Sequence, residues 1–165
     1  MRMDLIQPFI NSADAVLAQA LSSPIAVENL SMEEGAYRRK GIAAEVCLLG
    51  EIEGRIIFDV DLGQALQLAS RLAGVEVSET DEELVREAVC ELANQIIGNA
   101  VTTLNDQGFH FHVRPPKLHT SEQGSRSSED TEALVMGFST SSGNVFMNVA
   151  LRYHREVAEG SAVAG

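Results

Sequence analysis

Glu87, Glu91, Asn94 and Gly98 stand three or four residues apart, the spacing that gathers side chains on one face of a helix. At about 100° per residue they fall within a wedge of roughly 60°. Opposite them Val85, Ala88, Val89, Leu92, Ala93, Ile96 and Ala100 make a broad apolar arc, which must face the sheet. Two residues of the polar ridge are poor choices for a helix. The Asn amide competes for backbone hydrogen bonds, and Gly costs about 1 kcal/mol relative to Ala in a helix interior. On an outward face Gly98 is not explained by packing within the chain, and its bare backbone would let another surface approach closely. The ridge therefore reads as a place where a second molecule meets this one. A solvated helix face with an incidental Gly is the alternative, and the wheel alone leaves both open.

Other chemistry-bearing residues carry weaker patterns. Asp59-Val-Asp61 at the end of an apolar run imitates a D-x-D phosphatase nucleophile strand. No alternating β–α pattern follows it, and Lys occurs only at positions 40 and 117. Helix capping by Asp59 or Asp61 explains the pair better. His110 and His112 share one face of an expected strand, as zinc ligands often do. A third ligand would have to be His119, His154 or a carboxylate at no supporting spacing, so an exposed polar face is preferred. There is no G-x-S-x-G elbow and no Gly-rich phosphate loop. No metal site is expected in this chain.

The elements that must position the ridge follow from periodicity. Phe9, Ala13, Val16, Leu17 and Ala20 predict a helix from about Gln7 to Leu21, with Pro8 in its first turn, stopped by Ser22-Ser23-Pro24. Ile25–Met32, Gly41–Leu49 and Ile52–Val60 read as strands, the last two around a Gly50–Glu51 turn too short for a parallel crossover. A second helix is expected from Leu62 to Ala73, with Leu62, Ala65, Leu66, Ala69, Leu72 and Ala73 on one side and Gly74 as C-cap. Thr80 and Glu83 form a T-x-x-E capping box announcing the long helix, Asp81 to Asn105. Phe109, Phe111 and Val113 alternate with His110, His112 and Arg114 as a half-buried strand. The polar stretch 117–131 is expected to be a mobile loop. Ala133–Phe138 and Val145–Arg152 then close the fold as a hairpin. The sum is an α+β domain over residues 1–152, three helices packed on a mostly antiparallel β-sheet, followed by a flexible tail, 153–165.

Composition narrows the partners. With 24 acidic against 12 basic residues the formal charge is −12, which disfavours nucleic acid and anionic membranes and suits a partner presenting Lys or Arg. The absence of Trp removes the best base-stacking side chain. Cys47 and Cys90 form no C-x-x-C pair and read as reduced structural thiols. Met1–Gln7 lacks the apolar run of a signal peptide, and no stretch approaches the ~20 apolar residues of a membrane span. A soluble, cytoplasmic protein is expected.

The run Glu91-Leu-Ala-Asn94-Gln-Ile-Ile-Gly98 resembles the signature helix of the CheC/CheX/FliY response-regulator phosphatases: an acidic residue, then Glu-x-x-Asn, then Gly one turn on. Asp4–Ile10 resembles the opening helix of CheX proteins, Gly54–Phe58 their Gly-led strand, and Ala65–Gly74 their Ala/Leu-rich second helix. The resemblance covers roughly residues 4 to 116. It implies a CheC-like fold and a hydrolase acting on the aspartyl phosphate of a CheY-like receiver domain. Glu91 would pair with the receiver's active-site Lys, and Asn94 would orient the attacking water. An amide suits that role because it donates and accepts at once. The Mg²⁺ involved would belong to the receiver, so the chain needs no cofactor of its own. Glu87 occupies the family's preceding acidic position. Pro115 and Pro116 both lie close to the place of a family Pro, and with Glu87 and Gly98 they are candidates for partner binding. Gln95 and Ile97 replace residues expected to be apolar and small, and Ile97 near the site would alter how closely a partner docks. Ile10–Val16 lacks the second Glu-x-x-Asn of CheC-type members, so one site per chain is expected, in a homodimer as in CheX proteins. A non-catalytic receiver-binding adaptor, or a dimeric signalling module using the same ridge, is the alternative function.

Overall fold

The alternating strands of the first half and the closing hairpin meet in one antiparallel sheet. The computed structural model describes residues 3–21, 25–33, 37, 39–119, 132–140 and 143–153, and the expected loop residues 120–131 and tail residues 154–165 lie outside these. Strands β1 (Ala26–Glu33), β2 (Ile42–Gly50), β3 (Ile52–Val60), β4 (Phe111–Val113), β5 (Lys117–His119), β6 (Ala133–Thr140) and β7 (Gly143–Tyr153) pair in the order β1-β6-β7-β3-β2-β4, with β5 also on β2. The β2–β3 hairpin runs from Ile42 opposite Val60 to Leu48 opposite Gly54. Gly54 has φ 138°, and a Cβ there would collide with the Ala150 carbonyl of β7. Only Gly permits that approach of β3 to β7.

The β2 edge differs from expectation. A single strand over 109–114 and a loop from Lys117 are replaced by two three-residue strands, β4 beside Leu48–Gly50 and β5 beside Ala43–Glu45. Pro115 and Pro116 fall between them. Neither has an N–H to give the ladder, so the edge is split there, and Val113 is 37% exposed rather than buried.

Helices α1 (Met3–Leu21), α2 (Leu62–Ala73) and α3 (Glu82–Asp106) pack with Ile56, Phe58, Met136, Met147 and Val149 into the main core on one face of the sheet. A smaller cluster of Tyr37, Ala43, Ile57 and Val135 lies apart from it. α1 starts four residues earlier than expected, with Asp4 in its first turn. Pro8 is therefore in the second turn and gives up a backbone bond to the Asp4 carbonyl.

α2 has its expected bounds, with Asp61 as N-cap accepting from Gln64 N at 3.0 Å and Gly74 at φ 72° as C-cap. Its orientation is the surprise. The helix buries Gln64, Ala65, Leu68 and Ala69, while Leu62 and Leu72 stay 42% and 57% exposed. Polar clamps account for this. Asp61 also accepts from Asn144 N at 2.7 Å, and the Thr140 hydroxyl donates to Gln64 Oε1. Both tie α2 to the β6–β7 end and turn Gln64 inward.

Candidate functional site

α3 carries the site, and its own chemistry starts it. Glu82 and Glu83 lie in its first turn, where the helix dipole favours negative charge. The expected Thr80–Glu83 capping box does not form, because the N-cap is Asp81, one residue later. The turn before it closes on itself: Asp81 N donates to Ser78 O at 3.0 Å, Ser78 N to Asp81 Oδ2 at 3.0 Å, and the Thr80 hydroxyl pairs with that of Ser78 at 2.7 Å.

All seven residues of the apolar arc are buried, joined by Ile97 and Leu104. The arc packs on α1 and α2 as well as on β2, β3 and β5, rather than on the sheet alone. A buried hydrogen bond from Ser12 Oγ in α1 to Ile96 O, 2.7 Å, ties the two helices. The carbonyl can take this bond beside its helical one, having two lone pairs. Holding the Ile96 side of α3 inward sets the rotation of the opposite face. Ile97 is 3% exposed, so it belongs to the core and not to a docking surface, contrary to expectation.

Glu87, Glu91, Asn94 and Gly98 are all exposed on that opposite face. The Asn94 amide has no hydrogen-bond partner among the described residues. Glu91 Oε1 accepts from Gln95 Nε2 at 3.1 Å. This contact was missed by reading Gln95 only as a departure from a family pattern, although its (i, i+4) spacing signals it. A Cβ added at Gly98 would meet nothing within 4 Å, so the chain's own packing does not require Gly there. Glu87, Glu91 and Asn94 form one lip of a shallow groove whose other wall is Leu72 and Ala73 of α2. Glu91 also borders a second groove toward α1, with Val16, Ala20, Arg71 and Gln95.

The remaining candidates fall elsewhere. Pro115 and Pro116 join β4 to β5 at the β2 edge, and neither lines the grooves that hold Glu91 and Asn94. Asp61 caps α2, as expected of one of the two Asp residues. Asp59 is fully buried and accepts from Tyr37 Oη at 2.7 Å, from Gly41 N at 2.8 Å and from Lys40 N. A carboxylate so occupied clasps Tyr37, Lys40 and Gly41 and cannot meet a substrate. His110 and His112 are exposed, and no group of three metal-ligating side chains occurs among the described residues. Both cysteines are free, and burial pushes their thiols up.

Three helices on one face of an antiparallel sheet, with a polar ridge along the longest, define a CheC-like fold. A CheC-like superfamily protein from Shewanella sp. PV-4 superposes with a TM-score of 0.81 at 21% identity, covering 92% of this chain and 99% of that one. The chemotaxis protein CheX from Vibrio vulnificus gives 0.76 at 23%, covering 90% and 99%. The family model "Chemotaxis phosphatase CheX" matches residues 42–139, which include all of α3. A chain from the CheX-CheY-BeF3-Mg²⁺ complex of Borrelia burgdorferi is 37% identical, covers 92% of this chain and 99% of that one, and has a TM-score of 0.69. This chain belongs to the CheX family of chemotaxis phosphatases. No curated protein sequence matches it.

Proposed function

We propose that this protein hydrolyses the aspartyl phosphate of a CheY-like receiver, with Asn94 orienting the attacking water and Glu91 anchoring the receiver's active-site Lys. One observation carries the reading: an unengaged amide and a carboxylate, one turn apart, project from α3 beside a Gly that the fold does not need. The Borrelia relative, whose complex contains CheY with Mg²⁺ and the phosphoryl mimic BeF3, supports the partner class. Phosphoryl transfer is catalysed mostly by positioning and electrostatics, so a chain without a nucleophile of its own can still accelerate it. Water oxygen bonds to phosphorus, the P–O bond to the aspartate breaks, the carboxylate leaves on the receiver, and inorganic phosphate is released. Asn94 Oδ1 would accept a hydrogen bond from that water and hold its lone pair in line with phosphorus, the water's protons leaving on the phosphate. Mg²⁺ bound in the receiver supplies charge neutralisation on the phosphoryl oxygens. Glu87 adds to the negative lip facing the receiver's cationic residue, and Gly98 lets the two backbones approach. Pro115 and Pro116 would act at a second, peripheral contact.

A phosphate-release assay on a receiver phosphorylated by acetyl phosphate tests this. The wild-type protein should speed the loss, and Asn94→Ala should reduce kcat by about a hundredfold, the scale of a lost geometric constraint, while still binding the receiver. Binding without acceleration would instead make the protein an adaptor.

The same reading includes a homodimer in the receiver's compartment, the cytoplasm. No helix among the described residues is long and apolar enough to cross a membrane. β1 pairs with β6 along one edge and with no described strand along the other. Val27, Leu30 and Met32 on it are 40%, 60% and 48% exposed. An exposed edge strand is a template for pairing, and a second copy would cover it together with these three apolar side chains. Sedimentation should show a dimer that Leu30→Lys dissociates, and a wild-type monomer at all concentrations would refute it.

A further inference from the structure

The groove beside Glu87, Glu91 and Asn94 has apolar walls that no other described residue covers. Leu72 of α2 is 57% exposed and Leu84 of α3 is 41% exposed, and both line it. Single exposed leucines are ordinary. These two come from different helices and converge on one groove, which the small side chains of Ala69, Ala73, Ala88 and Cys90 also line. Leu72 cannot turn into the described core, since Asp61 and Gln64 clamp the other face of α2 inward.

Leu84 precedes Glu91 by seven residues and Asn94 by ten, placing it roughly 10 and 15 Å from them along the helix. We propose that Leu72 and Leu84 form an apolar anchor for the receiver that meets Asn94, accepting an aliphatic or aromatic side chain. The receiver would present that side chain about 15 Å from its phosphoaspartate. This inference rests on the proposed function above. Continuity with the ridge argues for the receiver as occupant, because any domain whose phosphoaspartate reaches Asn94 must also overlie this groove. Charge argues the same way. Glu87 and Glu91 rim the apolar notch, so its complement is an apolar side chain beside a cation. A second copy meeting it through the same ridge would set Glu87 and Glu91 against their own counterparts. The anchor is too far from phosphorus to touch the chemistry, so it sets affinity and the choice among receivers.

The test uses CheY of Borrelia burgdorferi with Mg²⁺ and BeF3 for binding by calorimetry, and the phosphorylated form for kcat and KM. Leu72→Ser and Leu84→Ser should each raise Kd and KM about tenfold, the worth of one well-buried Leu. They should leave kcat at saturating receiver unchanged. Asn94→Ala should show the reverse, with kcat lost and Kd kept. Both leucines are exposed, so circular dichroism should show wild-type melting in the variants. A double variant with wild-type Kd and KM overturns the anchor, and the phosphatase reading stands if turnover still depends on Asn94. Wild-type protein that binds without accelerating, with affinity lost in the double variant, keeps the anchor and overturns the phosphatase reading. Wild-type protein that neither binds nor accelerates overturns both.

Discussion

At Gly98 the preference of the helix and the proposed docking role pull in opposite directions. The helix would prefer Ala, and space for it is open, since nothing lies within 4 Å of a Cβ there. Gly98→Ala should therefore raise stability by about 1 kcal/mol, read by urea denaturation, while weakening receiver binding. A variant that is more stable and binds normally would show that the bare backbone has no docking role. Asn94 and Glu91 were legible because they obey helical spacing. Gln95 was legible only in part: its sequence position allows the bond to Glu91, but only the structure shows its amide turned there. Ile97 was misjudged because it sits at the margin of the apolar arc, where a few degrees of helix rotation separate core from surface. Burial of the arc fixes that rotation, and the Ser12–Ile96 tie agrees with it.

At the scale of the element, Asp61 does more than end a strand. Its carboxylate caps α2 through Gln64 N and holds the β7 start through Asn144 N. Asp61→Ala should cost about 2 kcal/mol, the upper end for a lost N-cap, in chemical denaturation. A loss within the few tenths typical of a surface change would show that the clamp does not orient α2. The bounds of α2 were readable from Asp61 and Gly74, local signals at its two ends. The face it buries was not. Periodicity placed Leu62 and Leu72 inward with Leu66, yet contacts to Thr140 and Asn144, distant in sequence, turned Gln64 and Leu68 in and left Leu62 and Leu72 exposed. The β2 edge has a similar history. Alternation over 109–114 suggested one strand, and the ladder shows what two adjacent prolines do to it.

For the whole molecule, the Tyr37–Asp59 clasp joins the segment before β2 to the sheet. Burial first, then the Asp59 charge, raises the Tyr37 hydroxyl far above its ordinary range, so it stays a donor at neutral pH. The unfolded chain releases that proton near pH 10. Above this the folded state holds more protons than the unfolded one, so stability falls as pH rises past about 10. Tyr37→Phe should flatten that alkaline loss and cost about 1.5–3 kcal/mol at pH 7, the range for a hydrogen bond to a charged group. Thermal melts at pH 7 and 10.5 measure both. An equal alkaline loss in the variant would assign the effect to another group.

Short-range rules acting on the amino-acid order were enough for the strands flanking Gly50–Glu51, the ends of α2 and the outward ridge of α3. Each rests on periodicity, a cap or a turn, which the chain specifies within a few neighbouring residues. Tertiary contacts alone decided that Leu72 borders the groove, that Ile97 is core, and that Asp59 is a clasp. In each case the partners are remote in sequence and the alternatives differ by a modest rotation or one hydrogen bond. Local patterns do not record such choices, because packing and polar satisfaction make them across the whole fold.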